Sequence, residues 1–154
     1  MEYSRALLAV AVAVAVGVAT LSGPLAADVG TTTAEPDRLG NGSADVTVAE
    51  LPRTVSLVER EGGHDLRVPD ATVDVERLDG RPGLVYKLRI PALGYARSTT
   101  AFPEASGQHR LAIAGGSPSV ENERERYEGE LLVAIRSGAD RRVLERRNVT
   151  VVVA

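Results

Sequence analysis

The sequence predicts an all-β domain, an antiparallel β-sandwich of about seven to eight strands, preceded by an N-terminal hydrophobic helix. Three observations carry that expectation. Short runs of period-2 alternation recur along the chain, Gly and Pro clusters separate them at regular intervals, and no long stretch has the periodicity of an amphipathic helix. Composition agrees with it. Valine is abundant and aromatic residues make up only 3% of the chain, so the core must be built largely from small β-branched side chains.

The clearest strands are residues 71–78 and 84–90. In the first, Val73 and Val75 oppose Thr72, Asp74 and Glu76; in the second, Leu84, Tyr86, Leu88 and Ile90 oppose Lys87 and Arg89. Each therefore has one buried and one wet face. Asp79-Gly80-Arg81-Pro82-Gly83 lies between them, with two glycines for positive φ and a proline that presets a turn. The two runs are expected to pair as a β-hairpin around which the rest of the chain is organised.

At the N-terminus, Arg5 precedes an uncharged run over residues 6–27 that is almost entirely Ala, Val and Leu as far as Gly17. A positive start, an apolar stretch and the small residues Ala26-Ala27 describe a secretory signal peptide over residues 1–27. The run is also long enough to span a bilayer, so an uncleaved anchor, with the membrane as its partner, stands beside cleavage; Gly23-Pro24 would break its last turn. Leu21-Ser22-Gly23 resembles the start of a lipoprotein box, but Pro24 occupies the place of the required cysteine. Residues 28–43, with Thr31-Thr32-Thr33, Pro36 and Gly40-Asn41-Gly42, lack periodicity and read as a flexible linker. Asn41-Gly42-Ser43 and Asn148-Val149-Thr150 are N-glycosylation sequons, and Asn41, in the linker, is expected to be the more accessible.

The β domain is expected over residues 44–154. Residues 45–48 and 54–58 are the first strands, divided by Pro52, which suits an edge. Glu61-Gly62-Gly63-His64 reads as a turn and 66–68 as a short strand. Beyond Ile90, Pro91 and Gly94 interrupt the pattern before a strand at 95–102 and a loop at 103–107. His109, Leu111 and Ile113 then alternate with Arg110, Ala112 and Ala114. Gly115-Gly116-Ser117-Pro118 opens a charged connection, 121–126, with room for a helical turn. Residues 129–136 and 142–153 close the domain as a hairpin around Ser137-Gly138-Ala139-Asp140.

Tyr127-Glu128-Gly129-Glu130-Leu131-Leu132-Val133 resembles the tyrosine-corner entry to the penultimate strand of immunoglobulin-like and fibronectin-III-like sandwiches. The resemblance implies an immunoglobulin-like sandwich in which Tyr127 packs inward and its hydroxyl bonds a nearby backbone group, with Gly129 beside it in a structural role. The pattern runs from about Thr54 to Val153. The Cys-Trp-Cys signature of antibody domains is absent, so the kinship is architectural. In its export signal, linker and β domain the chain also resembles exported surface proteins of archaeal type.

Several chemistries are excluded or disfavoured by inventory. There is no cysteine, which removes disulfides, thiolate catalysis and Cys-ligated metals. A net charge of -3 gives no general attraction to nucleic acid, and the one basic cluster, Arg141-Arg142 with Arg146-Arg147, has no aromatic residues to stack bases. His64, after two glycines, is expected in a solvated turn, and His109, in phase with Leu111, at a strand end. Glu121, Glu123, Glu125, Glu128 and Glu130 are interleaved with Arg124 and Arg126, as in a solvated charged loop rather than a cation site. No phosphate loop, dinucleotide fingerprint, nucleophile elbow or zinc motif occurs.

The sequence therefore reads as a secreted or membrane-anchored envelope protein that acts as a structural or interaction module, with no catalytic residues, metal or cofactor. Arg142, Arg146 and Arg147 mark the candidate interaction edge, toward an envelope protein or polymer. Two alternatives remain: a pilin-like filament subunit processed before Leu7 that retains its N-terminal helix, and an extracytoplasmic enzyme or ligand-binding domain.

Overall fold

The computed structural model describes residues 39–154; the expected signal peptide or anchor and most of the linker lie outside them. Nine strands follow in order: β1 (Gly42–Glu50), β2 (Thr54–Arg60), β3 (Gly63–Arg67), β4 (Ala71–Gly80), β5 (Gly83–Ile90), β6 (Tyr95–Ala101), β7 (Gly107–Leu111), β8 (Arg126–Ser137) and β9 (Asp140–Val153). The described residues are all-β apart from one 3-10 turn, Pro91–Leu93, closed by Gly94 at φ 57°. The charged connection at 121–126, given room for a helical turn by its sequence, is an irregular loop.

The strands form two sheets, a three-stranded one in the order β1-β4-β7 and a six-stranded one in the order β3-β2-β9-β8-β5-β6. The expected hairpin of β4 and β5 is not formed: the two strands lie in different sheets. Both have the anticipated alternation, with Val73, Val75, Leu84, Tyr86, Leu88 and Ile90 at 0–2% exposure. Alternation fixes which face of a strand is buried, not which strand lies beside it. What redirects the chain is local. Arg77 takes a left-handed φ of 46°, Gly80 one of 71°, and the turn is tied to the segment before β1. Arg81 N–H donates to the Asn41 carbonyl at 2.7 Å, and Gly40 N–H donates to the Arg81 carbonyl at 2.8 Å.

A second departure is that pairing is not wholly antiparallel. β2 runs parallel to the end of β9, Thr54 opposite Thr150 through Leu57 opposite Val153. Leu51-Pro52-Arg53 carries the chain from the edge of the small sheet into the large one, so β1 and β2 head different ladders. Such a crossover leaves β2 alongside β9 with β3 on its far side.

The first strand ladder reaches back to the two residues before Ala44. Gly42 already pairs with Gly80. Its φ of 124° is left-handed, and a Cβ there would run into the Asp79 carbonyl, so only glycine fits. The inner faces of both sheets feed one core, in which Val55, Leu57, Ala71, Val73, Leu84, Tyr86, Leu88, Ile90, Leu131, Val133 and Val151 are all fully buried. Each such Leu or Val contributes about 1.5–3 kcal/mol of transfer free energy. Tyr86 also fastens the two sheets, because its hydroxyl donates at 2.9 Å to the Pro69 carbonyl just ahead of β4.

Candidate interaction surface

The residues singled out in the sequence fall in different places. Tyr127, one residue into β8, is 4% exposed. Its hydroxyl donates to the Asn122 carbonyl at 2.6 Å and accepts from Arg124 N–H at 3.2 Å. Two residues on, Gly129 lies where β5, β8 and β9 approach closely: a Cβ would meet the Arg89 carbonyl and the Val149 and Val151 methyls at 3.2–3.3 Å. Asn41 is half-buried in the turn before β1, with its carbonyl bonded to Arg81, rather than in a free linker. Asn148 is exposed on β9, opposite Glu130, at the rim of a depression that also takes in Pro91, Gly129 and Thr150.

The histidines part company with expectation in one case. His64 is not in a solvated turn. The turn is only Glu61-Gly62, closed by the Arg60–Gly63 pair, so His64 enters β3 in phase with Leu66 and is buried at 9% exposure. It lines a depression with Glu59, Glu123 and Glu125. His109 faces inward opposite Val73, and its Nε2 is 2.7 Å from the Ala105 carbonyl. Among the described residues no group of three His, Asp or Glu side chains is placed to hold a metal ion.

The three arginines of the candidate edge do not act as one edge. β9 lies between β8 and β2, but only its last four residues, from Thr150, pair with β2, so its charged first half has an open side. Arg147 turns inward there: Nη1 donates to the Leu51 carbonyl, and Nη2 meets Glu145 Oε1 at 2.7 Å. Arg147 thus stitches β9 to the β1–β2 connection. Arg146 points to the outer face of the large sheet, 3.8 Å from Glu130. Arg142 is exposed beside the closing turn.

The outer face of the large sheet gathers more charge than any stretch of sequence suggests. Pairing sets its rungs: Gly83–Arg136–Arg141, then Val85–Ala134–Val143, then Lys87–Leu132–Arg146, then Arg89–Glu130–Asn148. Lys87, Arg89, Arg136, Arg141 and Arg146 therefore surround an apolar strip, with Glu130 the one carboxylate among them. Among the described residues only Arg146 of these five has an ion-pair partner. Leu132 and Ala134, although on the outer face, are 6% and 0% exposed, as expected when long cationic stems lie over them. Val143 remains 44% exposed. The centre of this face is a depression of about 370 Å³ in which Glu130 lies among Lys87, Arg89, Arg141 and Arg146, over Leu132 and Val143. Alternation within β5 shows Lys87 and Arg89 as outward cations, but only the strand order brings Arg141 and Arg146 into the same patch.

No protein-family model, curated protein or solved structure matches the chain.

Proposed function

We propose that this chain is an exported or membrane-tethered cell-envelope module, an immunoglobulin-like β-sandwich that works by binding or by structure and not by catalysis. What supports the sandwich is the order of the strands. With β1, β4 and β7 as A, B and E, and β6, β5, β8 and β9 as C′, C, F and G, the two sheets follow the immunoglobulin arrangement, with β2–β3 an added hairpin on the G side. Tyr127 bonds upstream backbone at the start of the F strand, and the buried Tyr86 takes the place of the core aromatic on strand C. Fold alone assigns no task.

The observation that carries the functional half is the cation-rimmed outer face of the large sheet, a broad shallow surface suited to a partner rather than a closed cavity around converging acids and bases. Export rests on the sequence of residues 1–27. The test is protease shaving of intact cells combined with intact-mass analysis. External cleavage and a start near Ala27 or Asp28 mean secretion, and external cleavage with Met1 retained means an anchor. Full-length chain protected in the cytoplasm would overturn the proposal.

A further inference from the structure

The small sheet carries the opposite charge on its outer face. Its rungs there are Glu50–Thr72–Arg110, Thr47–Asp74–Gln108, Asp45–Glu76 and Ser43–Asp79. Burial confirms the direction: Ala71, Val73 and Val75 between these residues are 0–2% exposed, so Thr72, Asp74 and Glu76 point away from the core. Asp45, Glu50, Asp74, Glu76 and Asp79 thus share a face with only Arg77 and Arg110. The one ion pair among them in the described residues is Arg77 to Asp45, at 3.8 Å between largely exposed side chains. Since both inner faces feed one core, the acidic and the basic outer faces lie on opposite sides of the domain.

We propose that the partner of the basic face is the acidic face of a second copy of this chain, so that copies stack head to tail. The inference rests on the sandwich half of the reading above and is independent of where the protein resides. Charge complementarity is the first argument: the cations of β5, β8 and β9 have their counterpart in the carboxylates of β1 and β4. Geometry is the second. The carboxylates lie on two adjacent strands and the cations on three, and both sets share one lattice, with side chains about 7 Å apart along a strand and strands about 4.8 Å apart. Charges on one face can therefore fall in register with those on the other.

Other occupants fit less well. A sugar polymer or single-stranded nucleic acid would favour a row of aromatic platforms, whereas Tyr86, Tyr95 and Tyr127 lie off the basic rungs and only Phe102 borders them, over Gly83 at one end. A bilayer surface would need protruding groups, whereas the centre of the face is a depression. The contact joins unlike faces, so it does not close on itself. Repeated, it generates an open row of subunits. Exposed ion pairs are individually weak and are screened within about 10 Å at 0.1 M salt, so the row should form at low ionic strength and come apart at high.

The experiment is sedimentation equilibrium of the full chain in a non-ionic detergent, where the N-terminal segment is the same in every variant. One variant carries Lys87→Glu and Arg146→Glu, the other Asp74→Lys and Glu76→Lys, with circular dichroism and melting as fold controls. Wild type should associate at low salt and dissociate at high salt. Each variant alone should associate at least about tenfold more weakly, equivalent to 1.4 kcal/mol, because the two reversals remove the charge excess of one of its faces. Mixing the two should restore association in pairs, since the unaltered acidic face of one variant meets the unaltered basic face of the other. If a reversed variant fails to fold, Lys87→Gln with Arg146→Gln should weaken association in the same direction, by less. Wild type that shows no salt-dependent association would overturn the proposal, as would folded variants that associate like wild type, or a mixture that stays apart. Polyglutamate binding to a wild type that remains unassociated would overturn it too, and would assign the face to an acidic polymer.

Discussion

The Tyr127 hydroxyl donates to the Asn122 carbonyl at 2.6 Å while accepting from Arg124 N–H at 3.2 Å, so one side chain holds both ends of the turn that leads into β8. The ring is in the core and the oxygen at its edge, which lets a buried aromatic satisfy two backbone groups that the loop would otherwise leave without partners. Tyr127→Phe keeps the ring and removes both bonds. Urea unfolding should show a loss of about 1–3 kcal/mol, the range for stranding a partly buried polar group. A silent substitution would mean the turn holds itself.

Core truncation should outweigh any change in the acidic connection. Leu88 and Val133 are each fully buried, whereas Glu121, Glu123 and Glu125 are exposed. Leu88→Ala should cost about 2–5 kcal/mol, and Val133→Ala somewhat less. Substitution of the three glutamates by Gln should stay within about 0.5 kcal/mol each. Equal effects in chemical denaturation would contradict the assignment of the core.

The difference between these two groups was legible in the sequence because burial follows period-2 alternation. Lys87 and Arg89 announce a wet face between Leu84, Tyr86, Leu88 and Ile90 without reference to any other strand. Neighbours were not legible. Asp79-Gly80-Arg81-Pro82-Gly83 has the residues of a hairpin turn, yet β4 and β5 part company because Arg81 bonds to Asn41, 40 residues earlier, a contact that no local pattern encodes. His64 was misplaced because the turn is two residues shorter than its glycines suggest, which extends the alternation of β3 back from Leu66 to His64. The basic face was hidden for the same reason as the sheet order: its cations come from three separate strands.

Alkaline pH should destabilise the fold through Tyr86. Burial, and then the charge of Asp70, raises its ionisation well above the ordinary 10.0. Below about pH 10 the folded and unfolded chains both carry the proton, so stability is unaffected. Above it the unfolded tyrosine ionises while the folded one does not, and stability falls as pH rises. Spectrophotometric titration should show a tyrosine that ionises only as the chain unfolds, and Tyr86→Phe should flatten the alkaline decline. A Tyr86 that titrates normally in the folded protein would contradict its bond to Pro69.

Arg147 and Arg142 should behave differently although they sit in one basic run. Arg147 bonds the Leu51 carbonyl and Glu145 with its side chain 33% exposed, so Arg147→Ala should cost about 1 kcal/mol, screened relative to a buried charge-assisted bond. It should also speed amide exchange around Leu51 and Arg53. Arg142→Ala, at an exposed position, should stay within about 0.5 kcal/mol. Matching effects from the two would mean the charge of the run matters and the stitch does not.

The acidic and the basic face are separate surfaces only because β4 and β5 belong to different sheets. Cross-strand contacts between backbone protons, measured by NMR on the folded protein, test this directly. The two-sheet arrangement predicts β4 contacts to β1 and β7 across Thr47–Asp74, Val46–Val75 and Thr72–Arg110, and β5 contacts to β8 and β6 across Tyr86–Val133 and Lys87–Ser98. A continuous ladder of contacts between residues 71–80 and 83–90 would contradict it, and with it the placement of the acidic and basic faces.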